Sequence, residues 1–510
     1  MLCVGRVRQL REPSRMAPAL RTTRPTGRVP GRCSRARVFV NTRTTPARHP
    51  LVADRPLHWT VRPRAANDVR ARTLRPARAD RKARLALIFE RLPPLPVHMA
   101  SPEHPLLAAV RNSDTTAVAA LLQEEYGTPH ARGPHAAAAL RLAADALDHR
   151  ILDALLKLAG PDALDLDGVD ADGRTPLLRA VDRGAYDIAT ALHFAGADPR
   201  VTDREGRDAL ALARHWHTIG TGAGIYRRTV RDGDGEICRE LVIGGRTVRD
   251  GHTAILTHLE WCCGIATPFA ELLDRAMTEP EVDHPVWGAT VVAAAGRKGL
   301  ALPPVWDAAA ALRHHPDPLA RYFGADVLRC VNLYDESGED EESPFDTPLV
   351  DLFLPWAEQE KDPRVMRPLT AGLAGAMDPR AEGPLPALTR YPDAQVRSWA
   401  VGGLHWQVQQ ADPEALAAVL ACTRDTDAQV REGACRALLR ARTDDPAPCD
   451  ALAACLSDSE EAVRVTAAVQ LALRDDHRGD ALLDALDGTV DRTSPYYWPL
   501  QDVWRHRQNQ

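Results

Sequence analysis

Three segments near the C-terminus align without a gap: "PDAQVRSWAVGGL" (392–404), "TDAQVREGACRAL" (426–438) and "SEEAVRVTAAVQL" (459–471). Their anchors Val396, Val430 and Val463 stand 34 and 33 residues apart. An acidic residue lies three before each anchor (Asp393, Asp427, Glu460) and an arginine directly after it (Arg397, Arg431, Arg464). Alanine follows four later and leucine eight later, which puts the apolar residues on one helical face. A unit of this length cannot bury that face alone, so the chain has to stack its units into an array.

Earlier in the chain the acidic residue persists while the rest of the pattern blurs. Asp362 precedes Val365, Asp317 precedes Ala320, and Asp283 precedes Val286. Pro363 and Pro318 directly follow their aspartates, as a helix start favours. Six units are expected over roughly 255–490. The step from 320 to 365 is longer than the others, and "LYDESGEDEESPFD" fills the excess. Six of the eight residues from Asp335 to Glu342 are acidic, which predicts a solvated loop with a docking role for a basic partner as the alternative. The pattern resembles HEAT repeats, in particular the short HEAT-like repeats of phycobilisome lyases. The resemblance implies that Asp393, Asp427 and Glu460 form a ladder with Arg397, Arg431 and Arg464 between successive second helices. The match weakens where Met366 and Trp287 replace the arginine.

A second period lies upstream. Gly173 in "DADGRTPLLRAV" recurs as Gly206 in "DREGRDALALAR", 33 residues on. Asp172-Gly173 suits a tight turn, Thr175 a helix cap, and Pro176 the first helical position. Leu177, Ala180 and Val181 form one apolar face. Ile188, Ala191 and Leu192 form another, with Gly184 between the helices and Gly196 as a left-handed stop. This unit resembles an ankyrin repeat, whose TPLHxA core stands here as Thr175-Pro176-Leu177-Leu178-Arg179-Ala180, with Leu178 in place of the histidine. More degenerate units run over 104–125 and 138–160, and "DREGRDALALARHW" (203–216) begins a fourth and stops. Between the two arrays, "IYRRTVRDGDGEICRELVIGGRTVRDGH" predicts a β-hairpin, with the hexamer Arg-Thr-Val-Arg-Asp-Gly (228–233 and 246–251) as paired strand ends.

Charge is unevenly spread. Residues 1–98 carry 23 basic against 5 acidic groups, and the remainder carries 41 against 64. The first 98 residues lack a sustained apolar period and should be disordered. Three origins fit: a misassigned start with Met99 as the true first residue, which we favour, a basic arm for nucleic acid or membrane, or a transit peptide. Only four of the basic residues are lysine, and the wealth of arginine, alanine and proline implies a high-GC, bacterial-type genome. The ten cysteines form no CxxC pair and read as reduced thiols of a cytoplasmic protein.

Chemistry-bearing motifs are missing. Aligned on Gly235, a calcium loop would need ligands at Val230 and Leu241, and neither can serve. "GTGAG" (220–224) lacks a following helix pattern, and His215, His217, His314 and His315 read as ordinary histidines. "SPYYWPLQDVW" (494–504) predicts a cap over the last apolar face, with a partner-binding segment as the alternative.

The expectation is therefore an all-α double α-solenoid. It comprises a disordered 1–98, ankyrin repeats over 99–217, a linker with a β-hairpin over 218–251, HEAT-like repeats over 252–492 and an aromatic cap or tail over 493–510. Such arrays bind through extended faces, so the chain reads as a non-catalytic scaffold for a protein partner, with no cofactor, metal or catalytic set. Candidate partner contacts are Arg174, Arg200, Arg204 and Glu205 in the first array and Ser398, His405, Glu432 and Arg436 in the second. A bilin lyase or isomerase is the first alternative, and a DNA-binding protein using the basic arm is the second. The acidic balance after Met99 argues against nucleic acid.

Overall fold

The computed structural model describes residues 104–124, 134–159, 164–296, 303–335, 343–442, 445–486, 488, 490 and 494–508. Segment 1–98, Met99 and residues 336–342 of the acidic loop lie outside the described residues.

Helices begin where the sequence supplies oxygen acceptors and prolines. Asp317, Asp362, Asp393 and Asp427 each cap a helix with the side-chain carboxylate, and Pro318 and Pro363 take the first helical position. Upstream, the Thr175 hydroxyl accepts the Leu178 N–H at 3.1 Å, Pro176 opens the helix, and Gly196 ends the next one at φ +107°.

Among the described residues, the first stack is built from four helix pairs. Its first helices are α1 (Pro105–Arg111), α3 (Pro134–Ala146), α5 (Pro176–Asp182) and α7 (Ala209–Ile219). Their partners are α2 (Thr115–Glu124), α4 (His149–Ala159), α6 (Tyr186–Ala195) and α8 (His252–Cys262). The fourth unit does not stop at 216: its second helix is α8, delayed by a three-stranded antiparallel sheet of β1 (Ile225–Arg231), β2 (Ile237–Ile243) and β3 (Arg246–Arg249). The sheet is thus an insertion within one unit rather than a linker between arrays. The two hexamer copies do not pair with each other, because each pairs with β2 from opposite sides.

Six further pairs follow among the described residues: α9 (Phe269–Met277) with α10 (Pro285–Ala295), α11 (Pro303–Ala311) with α12 (Pro318–Leu333), α13 (Asp346–Gln359) with α14 (Pro363–Gly375), and α15 (Leu385–Leu388) with α16 (Ala394–Gly403). After a short α17 (His405–Gln409) come α18 (Pro413–Cys422) with α19 (Ala428–Leu438) and α20 (Ala447–Cys455) with α21 (Glu461–Ala472). The second helices pack one on the next in a single column, α2, α4, α6, α8, α10, α12, α14, α16, α19 and α21. One apolar core follows that column from Leu106 to Leu471. A smaller cluster caps its end, where Val503 of α23 (Tyr497–Gln508) and Leu483 of α22 (Asp480–Leu486) cover Val465 and Val469. Trp498 and Trp504 of α23 stay exposed. No described helix is long and apolar enough to cross a membrane.

A buried ion pair holds the sheet to the first stack, beside the Arg249 N–H on the Arg183 carbonyl at 2.7 Å and the Arg183 guanidinium on the Thr247 carbonyl at 2.9 Å. Arg249, at the end of β3, donates to both Asp187 carboxylate oxygens at 3.1 and 3.2 Å and to the Leu147 carbonyl at 3.1 Å. The Asp187 side chain is 0% exposed and also accepts the N–H groups of Ile188 and Gly233, both at 2.9 Å. Gly184, at φ +62°, makes room for the strand: a Cβ there would meet the Arg249 carbonyl oxygen at 2.0 Å.

Removing one partner of a buried pair strands the other charge. Asp187→Ala should therefore cost about 3–5 kcal/mol in urea denaturation. The double variant Asp187→Ala/Arg249→Met should recover part of that loss.

Candidate binding face on the second helices

At three of the anchors the arginine that follows ties neighbouring units together through a repeated geometry. Arg397 donates to both oxygens of Asp425 at 2.8 and 2.7 Å, and Arg431 does the same to Asp458 at 2.7 and 2.8 Å. Arg321 grips Glu360 at 2.8 and 2.9 Å. The remaining guanidinium nitrogen of each turns back to two carbonyls of its own loop, such as Tyr391 and Pro392 for Arg397. Arg464 keeps only the loop contacts, to Asp458 and Ser459. Fork-to-carboxylate pairing of this kind fixes direction as well as distance.

This corrects the expected ladder. The acid of each rung stands two residues before the cap, so Arg397 and Arg431 do not pair with Asp427 and Glu460. Asp427 is occupied by the N–H groups of Gln429 and Val430, Glu460 makes no side-chain cap bond, and Asp393 caps α16 while receiving Arg367 at 2.7 Å. Where the arginine is missing, the rung acid is missing too: Trp287 is followed by His315 one unit on, and Met366 by Tyr391. At the first gap the Trp287 ring meets Tyr322 edge-on at 5.3 Å, and at the second Arg367 and Asp393 form the substitute rung.

Along the column, α10, α12, α14 and α16 line a depression of about 110 Å³. Its wall combines Val291, Tyr322, Asp326, Arg329, Arg367, Gln395 and Trp399, and Glu236 from the β1–β2 turn closes one side. Asp326 and Arg329 pair at 2.7 Å, and Arg367 also reaches Asp283 at 3.7 Å. Burial pushes the Glu236 carboxyl up to about 8. A wider, open hollow of about 660 Å³ is lined by Arg313, His314, His315, Trp356 and Lys361 among others.

None of the eight residues proposed as partner contacts lines the depression. Tyr322 and Arg367 stand two after their anchors, and Asp326 and Ala371 six after. Ser398, Glu432 and Arg436 hold the same phase in later units. Glu432 is tied to Arg436 and to Thr466, the latter at 3.1 Å, and His405 is exposed against the Gly402 carbonyl. In the first stack Arg174 is half-buried on Asp182. Arg200, Arg204 and Glu205 are exposed, contacting Asp198, the Ala171 carbonyl and Arg207.

Cys238, Asp250 and His284 cluster in the core beside the sheet. Their donors are spoken for: His284 Nδ1 accepts the Val286 N–H, its Nε2 faces Asp250 at 3.2 Å, and Arg239 pairs with the same carboxylate. The Asp232–Glu236 segment is a turn, with the Asp232 carboxylate accepting the N–H groups of Asp234 and Glu236.

Residues 381–474 match the family model of HEAT repeats. No curated protein matches the chain. Among solved structures, the Escherichia coli protein YibA aligns at 15% identity and a TM-score of 0.37, over 48% of this chain and 84% of its own. An engineered protein aligns at 15% identity and a TM-score of 0.34, over 80% and 98%.

The rungs make stability depend on acid pH. The Arg431 guanidinium holds the Asp458 carboxyl below its ordinary 3.8. The rung's contribution is therefore complete above the unfolded value and is lost as pH falls through the folded one. Arg431→Met should destabilise the chain by about 1–3 kcal/mol at neutral pH. The gap between variant and parent in urea melts should narrow as the pH falls below 3.8.

Proposed function

We propose that this chain is a non-catalytic scaffold that holds an extended segment of a protein partner on its second-helix face. The observation that carries the reading is the depression across α10, α12, α14 and α16, where aromatic rings and arginines stand together. Tyr, Trp and Arg are the side chains that concentrate binding energy at protein interfaces, and Tyr322, Trp399, Arg329 and Arg367 supply them here. Charges of both signs suit a peptide backbone flanked by mixed side chains. Strong salt-dependent binding of a polyanion is disfavoured by the net −23 of residues 99–510.

The first stack completes the scaffold as an ankyrin-type array. Its Thr175-Pro176 helix opening, the Asp172-Gly173 turn and the Gly196 stop support that assignment, and Arg200, Arg204 and Glu205 are its exposed loop contacts. The eight unbridged cysteines of the described residues support a reducing, cytoplasmic setting. The depression, at about 110 Å³, is smaller than the roughly 300–1,000 Å³ of pockets that enclose organic ligands, whereas the open hollow beside Trp356, at about 660 Å³, falls within that range.

The test is site-specific photocrosslinking in lysate of the source organism, using the full chain. A photoreactive residue at Gln395 should capture one defined protein, and Trp399→Ala should abolish the capture without changing the circular dichroism melt. The same probe at Glu414, exposed on α18, should capture nothing specific. Equal capture from both positions would remove the second-helix face from the reading.

A further inference from the structure

The adjacent second helices α6 and α8 bring together three soft donors that play no part in the binding face. His193 comes from α6, and His258 and Cys262 stand one turn apart on α8. Their candidate donor atoms all lie within 4.8 Å of one another. The Cys262 Sγ is 3.6 Å from His258 Nε2, and the two imidazoles meet edge-on with centroids 5.3 Å apart. His258 is 8% exposed, while Nδ1 of His193 is buried and has no hydrogen-bond partner.

From these positions we infer that His193, His258 and Cys262 form a three-donor site for a thiophilic divalent cation, zinc, with solvent in the fourth position. The spacing fits the chemistry. Zinc bonds of about 2.3 Å to sulfur and about 2.0–2.1 Å to nitrogen, at a tetrahedral angle, separate the two donors by roughly 3.6 Å. A thiol-to-imidazole hydrogen bond would explain the same distance, but it leaves the buried His193 Nδ1 unsatisfied, and such a group in the interior is costly. A cation answers both observations at once.

The surroundings suit that role. Phe194 and Tyr186 stand edge-on to the His258 ring at 5.4 and 6.2 Å, making an apolar collar. His193 and Cys262 are half-buried and Phe194 and Cys263 exposed, so the site opens to solvent on one side. This arrangement differs from the Cys238–Asp250–His284 cluster, where Arg239 already neutralises the carboxylate. A bound cation would pin α6 to α8 across the point where the inserted sheet parts them in sequence.

The experiment is cobalt titration of the chelator-stripped full-length chain, read by absorbance. The expected result is one equivalent of Co²⁺ with tetrahedral visible bands and a thiolate-to-cobalt charge-transfer band, both bleached by zinc. Cys262→Ser should lose the charge-transfer band, His193→Gln should lose stoichiometric uptake, and Cys263→Ser should retain both. Circular dichroism establishes that each variant is folded, and the half-buried His193 position serves if Cys262→Ser is not. Absence of tetrahedral bands in the parent chain, or a spectrum unchanged by Cys262→Ser or His193→Gln, would overturn the site.

Discussion

The pairing of Arg249 with Asp187 is the contact on which the order of the whole chain turns. It sits where a β insertion interrupts a helical unit, and its carboxylate serves a strand arginine, a turn amide and its own helix at once. Each of those groups would be costly to bury unpaired. With them satisfied together, β3 lies against the first stack, α8 returns to its place beside α6, and α10 can pack on α8. The column of second helices then runs from the first stack into the later pairs without a break.

Beyond that junction the array depends on a division of labour. Apolar side chains hold each unit to the next but are tolerant of small rotations and slips. The guanidinium forks of Arg321, Arg397 and Arg431 are not, because each binds two carbonyls of its own loop and two oxygens of the next. The rungs therefore set register, while burial supplies most of the stabilisation. Where the rung is absent, aromatic and substitute ionic contacts take its place, and the mixed depression occupies that same stretch of α10 to α16.

Much of this was legible in the sequence. The 33–34-residue period, the aspartate caps and the Thr175-Pro176 opening all act within a few residues, so local spacing reveals them. The rung acids were missed because a rung joins different positions of successive units, and reading one column at a time pairs Arg397 with the wrong acid. The signal existed: Glu360, Asp425 and Asp458 share one column, and that column fails at His315 and Tyr391, after the units where Trp287 and Met366 replace arginine. The completion of the fourth unit by α8 was hidden by the inserted sheet. His193 and His258 stand 65 positions apart, a spacing without a local pattern, and only packing brings them together.

The junction also sets the order in which this chain can fold. Rung partners lie 27 to 39 residues apart, so the later pairs can nucleate locally and grow by adding one unit at a time. Arg249 has to find partners 62 and 102 positions behind it, across a loop whose closure entropy must be met before the contact gives anything back. During synthesis the first three helix pairs are complete before β3 has been made, and they wait with the Asp187 carboxylate uncovered. Closure of the sheet onto them has to span more of the chain than any rung, and it joins the first stack to the later pairs in one continuous core.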